Sequence, residues 1–286
     1  MNRHVKENPT VSIILPTYNR AHILGKCIDS VLSQTYENWD LVILDDHSTD
    51  NTSEVISNYV IQSNKITGDT HQQNVGLPKN RNAGIRWSKH TDLIFFIEDD
   101  IVLHPKCVEE MVKAYKTIDT GDLLEPIIVP RLIENTPQDK EAVGRNTPFY
   151  IDHCTGEIYS NYGYDTVRPL RVKMGHACCM YPREHLVAIG GYAEKAYKGT
   201  YCREESDLNM RLINNGVQFY YQPTAVADHN RITTGGCRLQ GKLKQTYYYA
   251  RNHIVYLLRN YGIKASYMIP CFVLVMSKRM IINNLT

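Results

Sequence analysis

Three buried-strand patterns, separated by helix patterns, constrain the fold of this chain more than any other feature of its sequence. "VSIILP" (11–16), "WDLVILDD" (39–46) and "FFIEDD" (95–100) each contain a continuous apolar run. Such runs are typical of strands that are covered on both faces. Apolar residues at helical spacing follow over about 23–32, and another helix is predicted over 78–88 after a polar loop. Strands and helices in alternation predict a doubly wound, parallel α/β sheet.

The second half of the chain is less regular. "EPIIVPRLI" (125–133) and "KMGHACCMYP" (173–182) predict strands on either side of an insertion at about 134–172. A helix is predicted at about 204–215, and "VQFYYQPTAVADH" (217–229) predicts a further strand. A tyrosine-rich helix is expected after that strand.

Composition excludes several classes of protein. The 286 residues are 43% apolar and 22% charged, with a formal net charge of +2 and scattered basic residues, so nucleic acid is not an expected partner. The start has no signal-peptide pattern, and the eight cysteines form no C-x-x-C pair, which indicates reduced thiols in a cytosolic protein. Residues 267–280 form an apolar stretch interrupted by Pro270, expected to be a packed terminal helix, with a membrane-surface helix as the alternative.

The carboxyl ends of the three predicted strands carry polar residues. Ligands of parallel sheets bind at this edge, so we expect "PTYNR", "DDHSTD" and "EDD" to line one cleft. Tyr18 could stack on a base or ribose, Arg20 could approach a phosphate, and Asp46 could accept a nucleobase N–H, although a loop exit or a helix cap would also explain these residues.

The "EDD" run predicts a site for a hard divalent cation, because such ions prefer oxygen ligands. Neighbouring side chains of a strand point to opposite faces, so three consecutive carboxylates cannot all reach one ion. We expect Asp100 to be the direct ligand, Asp99 to contact a sugar or water, and Glu98 to lie outside the site.

A second acidic cluster begins the helix predicted from 204. Glu205 lies on the inward face of that helix, where partial burial and the helix dipole would tune it as a general base. Glu204 and Asp207 are alternatives, and the acids could instead cap the helix with an Asp207–Arg211 pair. His229 could be a metal ligand, contact a leaving phosphate or be structural. "TTGG" (233–236) could be a mobile loop over the cleft or a turn.

Taken in order, these motifs resemble the family 2 inverting glycosyltransferases that have the GT-A fold. "VSIILPTYNR", "SVLSQTYENWDLVILDDHSTDNT", "NVGLPKNRNAG" and "FFIEDD" carry the resemblance over about residues 10–105, and "EESDLNMRL" and "ADHN" extend it to about 230. "YYYARNHIVYLLRNY" further resembles the tail of bacterial sugar transferases that build surface polysaccharides.

The resemblance implies a GT-A fold, with a Rossmann-like, doubly wound and mostly parallel sheet, a smaller acceptor-side region and C-terminal helices. It implies a glycosyltransferase domain at 1–236, with a nucleotide-sugar half at about 10–105 and an acceptor half at 106–236. A C-terminal helical extension would follow at 237–286.

The same resemblance implies roles for individual residues. Glu205 takes the place of the catalytic base, with Glu204 and Asp207 as alternatives. Asp99 and Asp100 would form the metal site, with His229 near the metal and diphosphate. The donor nucleotide would be bound by Pro16, Thr17, Tyr18, Arg20, Asp46, Arg81 and Asp99.

The implied activity is metal-dependent transfer, with Mn²⁺ or Mg²⁺, of a sugar from a nucleoside-diphosphate sugar to an acceptor hydroxyl with inversion. UDP is slightly favoured over GDP or dTDP, and the acceptor would be a glycan, a lipid-linked sugar or another hydroxyl compound in glycan or polysaccharide biosynthesis. The expected location is cytoplasmic, with peripheral contact to the inner face of the membrane through the C-terminal helices left open.

Three other functions remain to be weighed. A nucleotidyltransferase usually has a glycine-rich basic loop after the first strand, but "PTYNRAH" has no glycine there. A Rossmann dehydrogenase would need G-x-G-x-x-G at the same place and is excluded. A nucleotide-sugar-binding protein without activity is the non-enzymatic alternative, and the presence of both acidic clusters argues against it.

Overall fold

A computed structural model describes residues 6–121, 124–135, 147–232, 235–237 and 241–285 of the chain. Strands and helices alternate through the first hundred residues. The elements are β1 (Val11–Thr17), α1 (Ala21–Leu32), β2 (Trp39–Asp45), α2 (Thr52–Gln62), β3 (Ile66–Thr70), α3 (Leu77–Trp87) and β4 (Leu93–Phe96).

The second half adds seven strands, three helices and the C-terminal helices within the described residues. The elements are β5 (Ile101–Leu103), α4 (Cys107–Thr117), β6 (Ile127–Glu134), β7 (Phe149–Ile151), β8 (Ile158–Ser160), β9 (Leu170–Val172), β10 (Met180–Pro182), α5 (Arg183–Ala188), α6 (Glu204–Asn214), β11 (Phe219–His229), α7 (Lys242–Asn260), a 3₁₀ turn (Gly262–Lys264) and α8 (Ala265–Leu285).

One large sheet has the strand order β3-β2-β1-β4-β10-β6-β11-β5, with β9 also paired to β11. β1 lies between β2 and β4 and is parallel to both. β10 runs antiparallel between β4 and β6, and β11 is parallel to β6. The predicted doubly wound, mostly parallel sheet is therefore confirmed, and the carboxyl ends of β1, β2 and β4 lie at one edge.

The sheet is covered on both faces, as the apolar strand runs predict. Ile13 and Leu15 of β1 pack with α1, α2 and α4, whereas Ile14 packs with α3, α5 and α6. This alternation follows from the two-residue period of a strand. The helices on both faces thus hold the strands in register, and the strand ends determine where the polar residues that follow them lie.

Two predictions of local structure were wrong. The predicted loop before α3 contains the edge strand β3, whose only buried side chain is Ile66, so that its sequence has no strand-like apolar pattern. The strand predicted over 173–182 is confined to Met180–Pro182. In the preceding turn, the Cys178 N–H donates to His176 Nδ1 at 3.1 Å, and such a local hydrogen bond diverts the backbone from a strand ladder.

The C-terminal helices pack against elements from the second half of the chain. α7 contacts α6 and α8, and Tyr256, Leu257 and Met268 form a small apolar cluster with Tyr197. In the described part of the chain, no helix combines the length and apolar character that a membrane span requires.

Candidate active site

The ends of β1, β2 and β4 meet in one polar cluster, as expected from the sheet. Thr17 Oγ1 donates to Asp99 Oδ2 at 2.9 Å, and the Nε atom of buried Arg20 lies 3.6 Å from Asp99 Oδ1. The Asp46 N–H donates to the Thr17 carbonyl at 2.9 Å. Burial raises the pKa of Asp99 to about 7, although the charge of Arg20 opposes that rise.

Asp46 fixes the loop that leads into α3. Its carboxylate accepts the N–H groups of Val75 at 2.6 Å and Gly76 at 2.9 Å. Gly76 has φ +87°, and a Cβ atom there would lie 2.2 Å from the Tyr201 hydroxyl oxygen. Only glycine suits this position, so the loop before α3 can approach the segment before α6.

An acidic group with an imidazole lies beside these strand ends. Glu98, Asp100 and His229 have potential ligand atoms within 4.8 Å of one another. His229 Nε2 is 3.5 Å from Asp100 Oδ1, and Nδ1 is 3.2 Å from Glu134 Oε1. Burial would lower the pKa of His229, but its hydrogen bonds to Asp100 and Glu134 outweigh burial and raise it to about 9.

This group differs in one residue from the expected metal ligands, because it contains Glu98 in place of Asp99. Asp100 and His229 are brought together, whereas the Asp99 carboxylate is directed to Thr17 and Arg20. Glu98, expected to lie outside the site, belongs to the group. β4 ends at Phe96, and the Ile101 N–H donates to the Glu98 carbonyl at 3.1 Å, so a turn over residues 98–101 brings Glu98 and Asp100 into the same group.

Arg81 of α3 connects this group to the second acidic cluster. The side chain is fully buried, its Nη2 lies 3.2 Å from Glu98 Oε1, and its Nη1 is paired with Glu204 Oε1. Its guanidinium also lies 5.3 Å from the centre of the Tyr192 ring. Arg81 therefore joins the end of β4 to the start of α6.

The three candidate bases of α6 have different surroundings. Glu204 is buried against Arg81. Asp207 is buried and accepts from Arg211 at 2.9 Å, from Arg259 at 2.7 Å and from Asn260 at 2.9 Å, so it ties α6 to α7. Glu205 is partly exposed, and its pKa is raised by burial although the nearby Arg81 charge opposes this.

The backbone around the site is in an uncommon conformation. Within the described ranges, the non-glycine residues with positive φ are Asn19 at 52°, His47 at 65°, Tyr201 at 52° and Arg203 at 77°. The first two follow β1 and β2, and the other two precede α6. Such residues cost roughly 1–3 kcal/mol each and persist where the surroundings hold them.

Arg203 is held by α7. Its Nε donates to His253 Nδ1 at 3.1 Å, and its guanidinium lies 5.7 Å from the centre of the Tyr249 ring.

Three residues around the site, Arg203, Glu134 and His253, were not singled out in the sequence. Glu134 could have been found, since it ends β6 beside His229 in the parallel register. Nothing in the local sequence marks the other two.

The glycines of "TTGG" lie against the end of β1. The Gly236 N–H donates to the Tyr18 carbonyl at 3.0 Å, and a Cβ atom at Gly235 would lie 2.5 Å from the Asn19 carbonyl oxygen. The close approach suits the positive φ of both glycines. Thr233 and Thr234 lie outside the described residues.

A family model described as glycosyl transferase family 2 matches residues 12–179, more than half of the chain. The chain is 29% identical over 134 residues to the Escherichia coli UDP-Glc:alpha-D-GlcNAc-diphosphoundecaprenol beta-1,3-glucosyltransferase WfgD, covering 43% of this chain and 52% of that protein. It is 35% identical over 120 residues to the poly(ribitol-phosphate) beta-N-acetylglucosaminyltransferase TarP of Staphylococcus aureus (strain N315), covering 40% of this chain and 35% of that protein.

The matched regions are partial. The chain spans 27% to 52% of the length of the first curated relatives. A crystal structure of TarS from S. aureus superposes with a TM-score of 0.55 and 14% identity, covering 92% of this chain and 43% of that chain. This likeness shows the GT-A fold.

Proposed function

The chain belongs to glycosyl transferase family 2, and from this premise we propose that it transfers a sugar from a nucleoside-diphosphate sugar to an acceptor hydroxyl with inversion. The observation that carries the proposal is the connection of two acidic sites by one buried side chain. Arg81 pairs with Glu98 in the group with Asp100 and His229, and with Glu204 beside the partly exposed Glu205. A donor site and a base on either side of Arg81 suit glycosyl transfer.

The donor nucleoside is proposed to bind at the ends of β1 and β2. Tyr18 offers an aromatic face, and Arg20 has a buried guanidinium whose Nε and Nη1 make no hydrogen bond within the described residues. A phosphate would supply the acceptors that Arg20 lacks. Pro16, Thr17, Asp46, Arg81 and Asp99 complete the proposed donor set, in which Arg81 acts by holding Glu98.

A divalent cation, Mn²⁺ or Mg²⁺, is proposed to bind at Glu98, Asp100 and His229. Two carboxylates and an imidazole within 4.8 Å of one another fit such an ion, and the imidazole favours Mn²⁺ over Mg²⁺. A cation bound there would supply positive charge that offsets the charge developing on the leaving nucleoside diphosphate. Asp99 is proposed to keep Thr17 and Arg20 in place beside it.

Glu205 is the proposed general base. It accepts the proton of the acceptor hydroxyl while the oxygen attacks the anomeric carbon and the bond to the diphosphate breaks. Attack opposite to the leaving group gives inversion. Glu204 is proposed to hold Arg81, and Asp207 to tie α6 to α7, so neither is free to take this proton.

The relatives suggest the wider setting. WfgD is named for UDP-Glc and a diphosphoundecaprenol-linked sugar, so we favour UDP as the donor nucleotide and a lipid-linked or other glycan acceptor in polysaccharide biosynthesis. A cytoplasmic location at the inner face of the membrane would suit such an acceptor. The division into a transferase domain at 1–236 and a helical extension at 237–286 also remains a proposal.

Donor screening by thermal shift would test the donor and metal assignments together. UDP-, GDP- and dTDP-sugars are titrated with Mn²⁺, with and without EDTA, because a ligand that binds only the folded state raises the melting temperature. We expect a UDP-sugar to stabilise the protein and EDTA to remove the effect. Asp100→Asn should lose the metal-dependent shift, and Asp69→Asn, an exposed aspartate on β3, should retain it.

Three results would contradict parts of this proposal. A donor shift that is insensitive to EDTA would overturn the metal assignment. If Asp69→Asn lost the shift as well as Asp100→Asn, the metal-dependent shift would not be specific to Asp100. Donor binding without release of nucleoside diphosphate, across varied acceptors, would favour a nucleotide-sugar-binding protein over an enzyme.

A further inference from the structure

The outward side of α8 is apolar and uncovered. Ile263, in the 3₁₀ turn before α8, is 90% exposed and Leu274 is 62% exposed, and Tyr267, Val273 and Met280 are also exposed. Met268 and Phe272, four residues apart, are buried on the opposite side of the helix. A helix that is apolar on all sides is normally covered on all sides, so the outward side indicates an interaction surface.

Basic residues lie on the same side. Tyr267, Leu274 and Lys278 are spaced by seven and four residues, which brings them onto one face of α8. Lys264 lies at the start of this face, and both lysines are exposed. An apolar face with exposed lysines at its two ends lets apolar side chains enter a bilayer interface while the ammonium groups stay at the headgroups.

The charge of the surrounding segment is one-sided. All 30 aspartates and glutamates of the chain lie at or before Asp228, whereas nine of the 32 lysines and arginines follow it. Three of these nine, Arg231, Arg259 and Arg279, pair with Glu134, Asp207 and Glu157 of the preceding chain. The six others, Lys264 and Lys278 among them, lie outside these pairs and give the segment an excess of positive charge. Such an asymmetry indicates a partner with negative charge.

We propose that the face formed by Ile263, Lys264, Tyr267, Leu274 and Lys278 docks on the surface of an anionic lipid bilayer. The apolar side chains would enter the interface, and the lysine ammonium groups would lie at the anionic headgroups. This docking adds a membrane partner to the proposed function. It rests on the proposed function only for its biological role, which is to bring the active site to a lipid-linked acceptor. A symmetric dimer through this face is disfavoured, because it would bring two basic segments together.

Binding to vesicles tests the proposal without donor or acceptor. The full chain is sedimented with vesicles of phosphatidylcholine alone, or of phosphatidylcholine mixed with phosphatidylglycerol. We expect binding to the anionic vesicles and a decrease as salt is raised, because salt screens the attraction of exposed charges.

Variants of exposed residues connect the binding to this face. Tyr267→Ser with Leu274→Ser should weaken binding to anionic vesicles by about tenfold or more. Lys264→Glu with Lys278→Glu should abolish the preference for anionic lipid. Ile61→Ser and Lys113→Glu are matched controls, since both residues are exposed on other helices, α2 and α4. The controls should bind as the unchanged protein does.

Several outcomes would overturn the docking surface. These are an absence of binding to anionic vesicles, equal binding by the α8 variants, or equal binding to both lipid mixtures. Loss of a concentration-dependent dimer in the α8 variants, measured by light scattering, would assign the face to a second copy instead. Turnover on a soluble acceptor should be unchanged in these variants, so a failure to find any transferase activity would count against the proposed function and not against the docking.

Discussion

Glu205 differs from the neighbouring acids of α6 in the side chains that pair with its carboxylate. Glu204 is paired with Arg81, and Asp207 accepts from two arginines and an asparagine, whereas no ion pair to Glu205 is found among the described residues. A general base needs an accessible carboxylate that is ionised at the working pH and basic enough to take a proton. Glu205 is partly exposed, and burial raises its pKa, which makes its ionised carboxylate a stronger base than that of an ordinary glutamate.

Glu205→Gln should therefore reduce turnover by about 10²–10⁴-fold, the range of a lost general base. Donor affinity should be unchanged, since the amide has nearly the same shape. The measurements are release of nucleoside diphosphate and donor binding by calorimetry. Because the pKa of Glu205 is raised, the activity of the unchanged enzyme should fall on the acid side at a higher pH than an ordinary glutamate would give. Near-normal turnover in Glu205→Gln would exclude this residue as the base.

The Arg81–Glu204 pair should contribute to stability mainly by neutralising buried charge. Arg81→Met leaves Glu204 and Glu98 without their cation and should cost about 3–5 kcal/mol of unfolding free energy. Arg81→Met with Glu204→Met should recover most of that loss, because no buried charge is then left unpaired. Urea unfolding measures each value. Lys113→Met, at an exposed pair with Glu110, is the control and should change stability by less than about 0.5 kcal/mol. Equal losses in the single and double variants would contradict this explanation.

For individual residues of the site, the sequence predicts the positions that depend on local geometry. Asp46, Asp99 and Asp100 could be placed at one edge because parallel strands end together. The pairing of Arg81 with Glu204 joins residues 123 positions apart, and no short motif encodes such a contact. Glu98 was expected outside the site because strand alternation was applied to residues 98–100, whereas the structure has a turn after β4 there; its role as a metal ligand stays a proposal.

At the scale of elements, α6 is positioned by α7. Arg203 begins α6 in a left-handed conformation, and its Nε donates to His253 Nδ1, while His253 Nε2 lies 2.8 Å from the Thr155 carbonyl. This arrangement requires a neutral imidazole with its proton on Nε2. Burial, together with the charge of Arg203, lowers the pKa of His253 to about 4.

The low pKa of His253 makes the free energy of unfolding depend on pH. The folded state holds His253 neutral, while the unfolded chain binds a proton below about pH 6.5, the ordinary value for histidine. This stabilisation is therefore complete above that pH and is lost as the pH falls towards 4. His253 should account for a loss of about 2 kcal/mol between about pH 7 and pH 5.

Urea unfolding at both pH values, compared between the unchanged protein and His253→Gln, measures this contribution. The variant should be less stable at neutral pH and should show a smaller loss on acidification. His22→Gln changes an exposed histidine of α1 and should keep the full pH dependence. If His253→Gln keeps it too, the imidazole is not the titrating group that couples α6 to α7.

The elements differ in how well the sequence predicts them. β1, β2 and β4 are buried on both faces and therefore have continuous apolar runs. β3 lies at the edge of the sheet and needs few apolar residues, so its pattern resembles a loop. Residues 173–179 have the apolar content of a strand, but the His176 hydrogen bond to the Cys178 N–H turns the chain there. Residues buried outside the sheet are as apolar as residues buried within it, so apolar content alone does not predict a strand.

At the scale of the whole molecule, the C-terminal helices are part of the structure around the site. α7 supplies the partners of Arg203 and of Asp207, which are both buried on α6 or just before it. α8 supplies Arg279, whose Nη1 donates to the buried carboxylate of Glu157 at 2.8 Å. The sequence predicts these helices but not their contacts, which join segments far apart in the chain.

Two truncations should separate the contributions of α7 and α8. A chain that ends at residue 240 leaves Arg203 and Asp207 as buried charges without their α7 partners, and removal of a buried partner costs about 3–5 kcal/mol. It should aggregate or lack transfer to a soluble acceptor. A chain that ends at residue 264 keeps the α7 contacts with α6 and should retain transfer at reduced stability. Melting temperature and nucleoside diphosphate release measure both. Full activity in the shorter chain would instead make residues 237–286 a separable extension, as the sequence predicts.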